Sequence, residues 1–335
     1  MACPPSFEAL KKMFDMAAEE GGTTVMSYDK LRTLVRMFLD LVEVDEEWYK
    51  TAYPDVAQAI SAGIIRSAKE HFVQHGYFED RLPCRVAVET RVTPRQLQEM
   101  ITRVERNFRH MGEIEPHWSV LTDAKFSSKN IQHTRDEFYA SGEELVNEFL
   151  ETAERFGLAP NKDGTCFELG CGVGRSTIWL ARHFRTVIGA DVSAPHLNLA
   201  RQAAKDFARS NISFVRVNRL DEIEGLPQSD AFFSIIVLQH NPPPLIRHLL
   251  GVILGKLRSG GLAYFQVPTY GRSYGFRIEN YLSAEVRLGV PEMHVLPRSE
   301  LLAVAGEKGC RVLDMSEDGA AGPSFVSNRV LLRKE

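Results

Sequence analysis

The sequence CFELGCGVGRST, from Cys166 to Thr177, places Gly170, Gly172 and Gly174 at every second position. A short apolar run precedes these glycines and a helix-like run follows them, so the stretch predicts a strand, a tight loop and a helix. Glycine lets the chain turn sharply and lets a ligand touch the backbone. In parallel sheets such loops lie at the carboxyl ends of the strands, where ligands bind. The stretch therefore predicts a nucleotide-type ligand at this loop.

Strand-like and helix-like segments alternate from Gly164 to the end of the chain. This alternation predicts a Rossmann-like, doubly wound α/β sheet with crossover helices. The last two strand-like segments, RVLDMS and FVSNRVLLR, have only a loop between them. We therefore expect the last strand to be antiparallel. The segments predicted as the earlier strands are TCFEL, TVIGAD, ISFVRV, AFFSIIVL and LAYFQVP.

The composition excludes some classes of protein. The chain has 335 residues, 44% of them hydrophobic, and a formal net charge of −4. This length allows about two domains, and the mildly acidic balance gives no electrostatic case for nucleic acid. We see no run of roughly 20 apolar residues for a membrane span and no secretory signal. The five cysteines form no C-x-x-C pair. These features favour a reduced, cytoplasmic protein.

Helical patterns dominate the chain before the α/β region. We predict a helical module over residues 1–84, a linker and helical connector over 85–138, and the α/β domain over 139–335 with an insertion at 269–297. The segment Trp48–Pro83 resembles a small helical module of bacterial polysaccharide-assembly proteins, although Asp80-Arg81 stands where glycine-arginine is more usual. His71 and His75 lie one helical turn apart, but no third ligand is evident, so we interpret them as structural. We expect the module to serve docking or homodimerisation.

The spacing of the glycines distinguishes two kinds of nucleotide ligand. A dinucleotide fingerprint has its third glycine one position after Gly174, where this chain has Arg175. Glu168, at the end of the first strand, would repel a pyrophosphate and attract a cationic sulfonium or ammonium group. Asp191 ends the second strand, where an acidic residue receives ribose hydroxyls. An NAD-binding domain remains the alternative.

The sequence FELGCGVGRST together with VIGADVS resembles the class I S-adenosylmethionine-dependent methyltransferases, over roughly Tyr139 to Glu335. The resemblance implies that S-adenosylmethionine is the cofactor of a methyltransferase (EC 2.1.1 class). It implies that Asp191 binds the ribose and that the glycine loop borders the methionine part. Asn218 departs from the family, which often has an acidic residue at the adenine. The full set of implied cofactor residues is Tyr139, Ser141, Gly142, Glu168, Gly170, Gly172, Gly174, Asp191, Val192, Asn218, Arg219, Leu220 and Gln239.

Two histidines are candidates for the base that takes a proton from a hydroxyl acceptor. His240 follows the fourth strand, which faces the methyl group in this fold, and His294 lies in the insertion. His240 could instead simply cap the helix that begins at the adjacent prolines. The sequence NPPP has Pro244 in place of the aromatic residue of an N-P-P-aromatic motif, which argues against nucleobase chemistry. No acidic pair follows the fourth strand, so we predict no metal.

The insertion at 269–297 carries aromatic and hydrogen-bonding side chains, which suit a polar, ringed acceptor such as a sugar. We predict O-methylation of a hydroxyl of a saccharide or glycan precursor. The alternatives are a small-molecule or natural-product O- or N-methyltransferase, and a non-catalytic cofactor-binding scaffold in glycan assembly. The predicted acceptor-binding residues are Tyr270, Arg272, Tyr274, Arg277, Glu279 and Tyr281.

Overall fold

The computed structural model describes residues 26–79, 81–84, 88–271 and 274–335. Arg272 and Asp80 lie outside these residues. Internal contacts divide the chain into one unit up to residue 86 and a second unit from residue 87 onward. The stretch 88–138, which the sequence suggests is a connector, belongs to the second unit.

The first unit is helical, as its sequence predicts. Its helices are α1 (Tyr28–Leu39), α2 (Glu46–Ala52), α3 (Pro54–Ser61) and α4 (Ala68–Gln74). Tyr49, Val56 and Phe72 are buried between them. The hydroxyl of Tyr49 lies 3.1 Å from His71 Nδ1, so His71 packs in this core.

Two long helices precede the sheet in the second unit. Helix α5 (Pro94–Ile114) begins with a capping box between Thr93 and Gln96. Helix α6 (Ile131–Arg155) is 25 residues long and contains Ser141 and Gly142 in its interior. The hydroxyl of Ser141 donates to the carbonyl oxygen of Phe138 at 2.7 Å.

The sheet has seven strands in the order β3-β2-β1-β4-β5-β7-β6. Strands β1 to β5 run parallel, and β7 is antiparallel to both β5 and β6. The predicted fold, including the antiparallel last strand, is therefore confirmed. The strands are β1 (Thr165–Leu169), β2 (Thr186–Asp191), β3 (Ile212–Arg216), β4 (Ser229–Ser234), β5 (Leu257–Gly271), β6 (Cys310–Asp318) and β7 (Phe325–Lys334).

Helices cover both faces of the sheet, and the apolar core lies between them and the strands. The helices are α7 (Thr177–Leu180), α8 (Ala194–Asp206), α9 (Leu220–Glu224), α10 (Pro243–Lys256), α11 (Ile278–Ser283) and α12 (Arg298–Glu307). Across the described residues, no helix is both long and apolar enough to span a membrane.

Strand β4 ends earlier than its apolar run predicts. It stops at Ser234, and Ile236 has a positive φ of 60°. The N–H of Ile236 donates to the side-chain oxygen of Gln266 at 3.1 Å instead of continuing the ladder. The chain then makes a 3₁₀ turn, Leu238–His240. This turn sets the position of Gln239 and His240.

The predicted linker also makes ordered contacts. Val88 pairs with Phe276 of the insertion, and the N–H of Glu89 donates to the Phe276 carbonyl oxygen at 3.0 Å. The Glu89 carboxylate accepts from the N–H of Ile278 at 2.8 Å. Residues 88–89 therefore support the insertion.

Candidate active site

The glycine loop has the backbone that its sequence requires. Gly170, Gly172 and Gly174 all have positive φ, at 71°, 52° and 84°. A Cβ atom at Gly170 would lie 2.3 Å from Val237, and one at Gly172 would lie 2.7 Å from Val120. Neither position accepts a side chain, because the φ is strained for other residues and the space is filled.

Asp191 holds this loop. Its carboxylate accepts from the N–H of Gly172 at 2.9 Å and from the N–H of Ser193 at 2.8 Å. The hydroxyl of Ser193 lies 2.6 Å from His196 Nδ1, and His196 Nε2 lies 2.8 Å from the hydroxyl of Ser119. A buried polar network thus joins the end of β2 to the turn between α5 and α6.

A cavity of about 80 Å³ opens beside the loop. Its walls include Gly170, Gly172, Asp191, Val192 and His240, all of which the sequence predicts as site residues. The remaining walls are mostly apolar side chains, among them Ile101, Val104, Phe108, Val217, Ile223, Leu245 and Leu249. Bare backbone, a carboxylate and apolar walls suit the polar and flat parts of a nucleoside.

Two side chains narrow the cavity at the glycine loop. Val120 and Val237 cover the two glycines that a ligand would touch. A ligand that contacts the backbone of either glycine on that side therefore requires the covering side chain to move.

Behind the loop lie two buried charges. Burial raises the pKa of Glu168 to about 7 and lowers the pKa of Arg175 to about 10. Oε2 of Glu168 and Nε of Arg175 have no hydrogen-bond partner among the described residues. An orphaned buried carboxylate is costly, and a cationic ligand group would relieve it. This observation fits the sulfonium or ammonium group predicted beside Glu168.

The residues of α6 predicted at the cofactor contact the loop from outside the cavity. The hydroxyl of Tyr139 donates to the Val173 carbonyl oxygen at 3.3 Å, and Arg175 donates to the hydroxyl of Ser141 at 3.0 Å. A Cβ atom at Gly142 would lie 2.1 Å from the carbonyl oxygen of Arg175. These three residues therefore support the loop and do not line the cavity.

The predicted adenine residues after β3 also lie beside the cavity and not on its walls. The N–H of Asn218 donates to Glu222 at 2.9 Å, and Arg219 is exposed and pairs with Asp221. The N–H of Leu220 donates to the side chain of Gln98 at 3.1 Å. Gly174, the last loop glycine, packs against Ala200 of α8.

His240 lies on the cavity wall, and its hydrogen bonds determine which ring nitrogen carries the proton. Its Nδ1 lies 2.8 Å from the carbonyl oxygen of Glu292. A carbonyl can only accept, so Nδ1 carries the proton and the neutral ring keeps a lone pair on Nε2. The Gln239 side-chain nitrogen lies 3.3 Å from Nε2. Burial lowers the pKa of His240 to about 4, so the ring is neutral at pH 7.

His294 is fully engaged by its neighbours. Its Nε2 lies 3.2 Å from the Glu292 carboxylate, and its Nδ1 lies 2.9 Å from the hydroxyl of Tyr274. The carboxylate needs a donor, so Nε2 carries the proton and Nδ1 accepts from Tyr274. Tyr281 packs 5.7 Å from the same ring. Both nitrogens of His294 are used, whereas His240 has only a long contact at Nε2.

The other predicted acceptor residues are dispersed. Tyr270 is 57% exposed, Glu279 is exposed on α11, and Arg277 lies 3.3 Å from Glu89. Arg272 falls outside the described residues. The structure thus brings Tyr274 and Tyr281 together around His294 and leaves Tyr270, Arg277 and Glu279 on the surface.

Several residues of the site carry no sequence motif. Ser119 and Val120 lie in an irregular turn, and Arg103 and Phe108 lie on a helix whose charges suggest only a solvated face. Glu292 could have been noticed only as the acidic residue nearest His294. Within the described residues, we find no group of three or more His, Cys, Asp and Glu side chains able to hold a metal ion.

Residues 167–261, which contain the glycine loop and strands β1 to β4, match the family model described as a methyltransferase domain. The chain carries a methyltransferase domain. The match begins inside β1 and ends inside β5. It therefore covers the nucleotide side of the site and omits α5, α6 and the insertion.

The chain is also similar to several known proteins. A 23S rRNA (uracil(1939)-C(5))-methyltransferase, RlmD, of Marinomonas posidonica is 25% identical over 163 residues, 45% of this chain and 35% of that protein. Magnesium protoporphyrin IX methyltransferase (ChlM) from Synechocystis PCC 6803 with bound SAH has a TM-score of 0.50, at 16% identity over 70% of this chain and 100% of that chain. The DhpI–SAH complex has a TM-score of 0.44 at 15% identity, over 70% and 97% of the two chains.

The methyltransferase domain confirms three predictions at the level of the domain and its fold. These are the Rossmann-like fold, an enzyme of the S-adenosylmethionine-dependent methyltransferase type, and S-adenosylmethionine as the cofactor. The chain spans about a third of the length of the rRNA methyltransferase. The roles of individual site residues stay predictions.

Proposed function

We propose that the chain transfers a methyl group from S-adenosylmethionine to a hydroxyl of a saccharide or glycan precursor, with His240 as the general base. One observation carries this proposal. The hydrogen bond from His240 Nδ1 to the Glu292 carbonyl oxygen leaves a basic nitrogen on the wall of the cofactor cavity. A neutral imidazole at the reacting centre is the group that a hydroxyl acceptor needs.

The residues present fit the cofactor. Asp191 would accept from the ribose hydroxyls, and the bare backbone of Gly170 and Gly172 would border the methionine part. Glu168 is buried behind the loop and not on the cavity wall, and from there its carboxylate would attract the positive charge. S-adenosylmethionine supplies an already activated methyl group when it is bound. The chain therefore has three tasks: to align the acceptor, to exclude water and to receive one proton.

His240 receives that proton. A neutral alcohol oxygen is a poor nucleophile, and a positioned base typically contributes 10²–10⁴-fold to the rate. The amide of Gln239, whose oxygen accepts from Gln266 at 2.9 Å, turns its nitrogen toward His240 Nε2. An acceptor hydroxyl would replace the Gln239 nitrogen as the partner of His240 Nε2. The proton lost as the methyl group moves passes to Nε2 of His240.

The saccharide acceptor is supported by side chains near His240. Tyr274, Tyr281 and His294 place aromatic faces and hydrogen-bonding atoms beside Glu292. Pro244 lies at the start of α10, where nucleobase methyltransferases of the N-P-P-aromatic type carry an aromatic ring. We therefore propose an acceptor other than nucleic acid, although the rRNA methyltransferase acts on uracil.

Labelled methyl transfer tests the proposal. The full chain is incubated with methyl-labelled S-adenosylmethionine and a set of nucleotide sugars and lipid-linked glycans, and cofactor affinity is measured in parallel. His240→Ala should lower the rate with the true acceptor by about 10²–10⁴-fold while leaving cofactor affinity nearly unchanged. A normal rate in His240→Ala would remove the base from the proposal and favour an amine acceptor.

Two other functions have specific support. The apolar walls of the cavity are equally compatible with a small-molecule O- or N-methyltransferase. A non-catalytic scaffold would bind cofactor without turnover with any acceptor. The proposed roles of the helical module in docking or homodimerisation, and the cytoplasmic location, rest on the sequence.

A further inference from the structure

A second cavity lies on the far side of His240. Its walls are Arg103, Val104, Asn107, Phe108, His240, Tyr281, Val286 and Glu292. Three of these residues, Val104, Phe108 and His240, also line the first cavity. The rings of Phe108 and His240 are 5.7 Å apart. The candidate base is thus part of the wall that separates the two cavities.

We infer that this second cavity is the acceptor site, and that it selects an uncharged, hydroxylated ring. The inference rests on the proposed function, because it gives the methyl acceptor a place and a charge class. Helix α5 and Glu292 form much of its wall, and the sequence predicts neither as part of the site.

The preference for an uncharged acceptor follows from the charges of Glu292 and Arg103. The guanidinium of Arg103 donates to the carbonyl oxygens of Leu282 at 3.2 Å and Ala284 at 2.7 Å. It also lies over the ring of Tyr281, 4.9 Å from the centroid. Its two terminal nitrogens each donate one hydrogen bond to the insertion backbone, and its Nε has no partner among the described residues. Arg103 therefore keeps N–H donors that an acceptor oxygen can accept from.

Glu292 supplies a negative charge on the cavity wall. The hydrogen bond from His294 lowers the pKa of Glu292, and Arg103 acts in the same direction. The carboxylate is therefore ionised at neutral pH, and an ionised carboxylate only accepts hydrogen bonds. It attracts hydroxyl donors and repels carboxylate or phosphate groups. The guanidinium of Arg103 lies on the same wall, so it repels a cationic acceptor as Glu292 repels an anionic one.

The shape of the cavity depends on α5. Asn107 donates to the Val290 carbonyl oxygen at 2.8 Å and accepts from the N–H of Gly289 at 2.9 Å. Together with the two bonds of Arg103, four hydrogen bonds hold residues 282–290 against α5. The cavity has only about 10 Å³ in this closed arrangement, so an acceptor ring must displace part of this segment.

Glu292 offers a clean test because it acts through two separate groups. Its backbone carbonyl fixes the His240 proton, and its carboxylate faces the acceptor cavity. Glu292→Gln removes the charge and keeps the carbonyl. Glu285→Gln is the matched control, since Glu285 lies exposed in the same insertion. Glu292→Asp keeps the negative charge on a side chain that is one methylene shorter. It tests the role of the charge even if Glu292→Gln lowers the stability of the fold.

The experiment uses the full chain with saturating S-adenosylhomocysteine. Binding of methyl α-D-glucopyranoside and of sodium glucuronate is measured at millimolar concentration by saturation-transfer NMR. We expect the neutral glycoside to bind and the glucuronate to bind at least several-fold more weakly. Glu292→Gln should weaken the glycoside about tenfold, the loss of one charge-assisted hydrogen bond, and reduce the discrimination. Glu292→Asp should keep the discrimination, and Glu285→Gln should behave as wild type.

Three results would overturn the inference: no binding of the glycoside, equal or tighter binding of glucuronate, or unchanged binding in Glu292→Gln. Calorimetry with S-adenosylhomocysteine alone distinguishes a failure of the acceptor-site inference from a failure of the proposed function. A chain that does not bind S-adenosylhomocysteine contradicts the proposed function itself. A chain that binds it and shows any of the three results loses only the acceptor site.

Discussion

The backbone N–H of His294 donates to the carbonyl oxygen of Gln239 at 2.7 Å. This bond joins the insertion directly to the turn that carries His240. Since the bond is made by backbone atoms, His294→Ala should keep it and lose only the contacts to Glu292 and Tyr274. We therefore expect His294→Ala to slow methyl transfer less than His240→Ala does. Initial rates of methyl transfer, measured in parallel for the two variants, check this. A larger loss of rate in His294→Ala would indicate that His294, and not His240, is the base.

Glu168 makes stability depend on pH in an unusual direction. Its pKa is about 7 in the folded chain against 4.5 for an unperturbed glutamate, so the folded state binds more protons between these values. The contribution of Glu168 to the free energy of unfolding therefore falls as pH rises from 4.5 to 7. Glu168→Gln should leave stability unchanged near pH 4.5 and raise it by up to about 3 kcal/mol above pH 7.

Urea unfolding of wild type and Glu168→Gln at several pH values measures this difference. A difference between the two proteins that does not change with pH would mean that Glu168 is already ionised in the folded chain. The same carboxylate should release a proton when a cationic cofactor binds near pH 7. Calorimetry of S-adenosylmethionine binding in buffers of different ionisation enthalpy detects that proton.

Asp191 both holds the glycine loop and faces the cavity. Asp191→Ala should weaken S-adenosylhomocysteine binding by about 1–3 kcal/mol, the usual range for charge-assisted hydrogen bonds. Asp191→Asn retains an oxygen that can accept from Gly172, so its loss should be smaller. Thermal shifts with S-adenosylhomocysteine and with NAD give the control, because NAD should not stabilise the wild-type chain. Unchanged affinity in Asp191→Ala would contradict the ribose assignment.

Val120 and Gly172 should have opposite effects on cofactor entry. Val120→Ala removes the methyl groups that cover Gly172, so it should tighten S-adenosylhomocysteine binding at a cost of about 1 kcal/mol in stability. Gly172→Ala places a methyl group 2.7 Å from Val120 at a positive φ, so it should weaken both binding and stability. Calorimetric affinities of the two variants decide the point; weaker binding in Val120→Ala would show that Val120 contacts the ligand.

Two truncations locate the beginning of the functional domain. A chain starting at Val88 keeps the pairing of residues 88–89 with the insertion, and a chain starting at Thr93 loses it. Both should bind S-adenosylhomocysteine with wild-type affinity, because none of the described residues before Ile101 lines the cofactor cavity. Only the chain starting at Val88 should keep full methyl transfer. Loss of cofactor affinity in a folded chain starting at Val88 would make the helical module part of the site.

The sequence predicts the sheet well because its signals are local. Alternating apolar segments and the glycines at 170, 172 and 174 predict β1, the loop and the alternation of strands and helices without reference to distant residues. The early end of β4 was missed because Ile236 is apolar and β-branched, and only the side chain of Gln266, 30 residues later, accepts from its N–H.

The nucleotide side of the site was more predictable than the acceptor side. Asp191, Val192, Gly170 and Gly172 are found from motif spacing, and they line the cavity. Arg103 meets Leu282 across 179 residues of sequence, and no periodicity in either segment indicates that contact. Tyr139, Ser141 and Gly142 were placed near the loop, but their helix approaches it from behind.

Helix α5 lies outside the segment that matches the methyltransferase family, yet it forms one wall of both cavities. The insertion, which forms the opposite wall of the second cavity, also lies outside that segment. The segment that matches the family therefore supplies only part of either cavity, and His240 within it lines both. A chimera that received only residues 167–261 would take the glycine loop and His240 from this protein and would take the α5 wall of both cavities from its host.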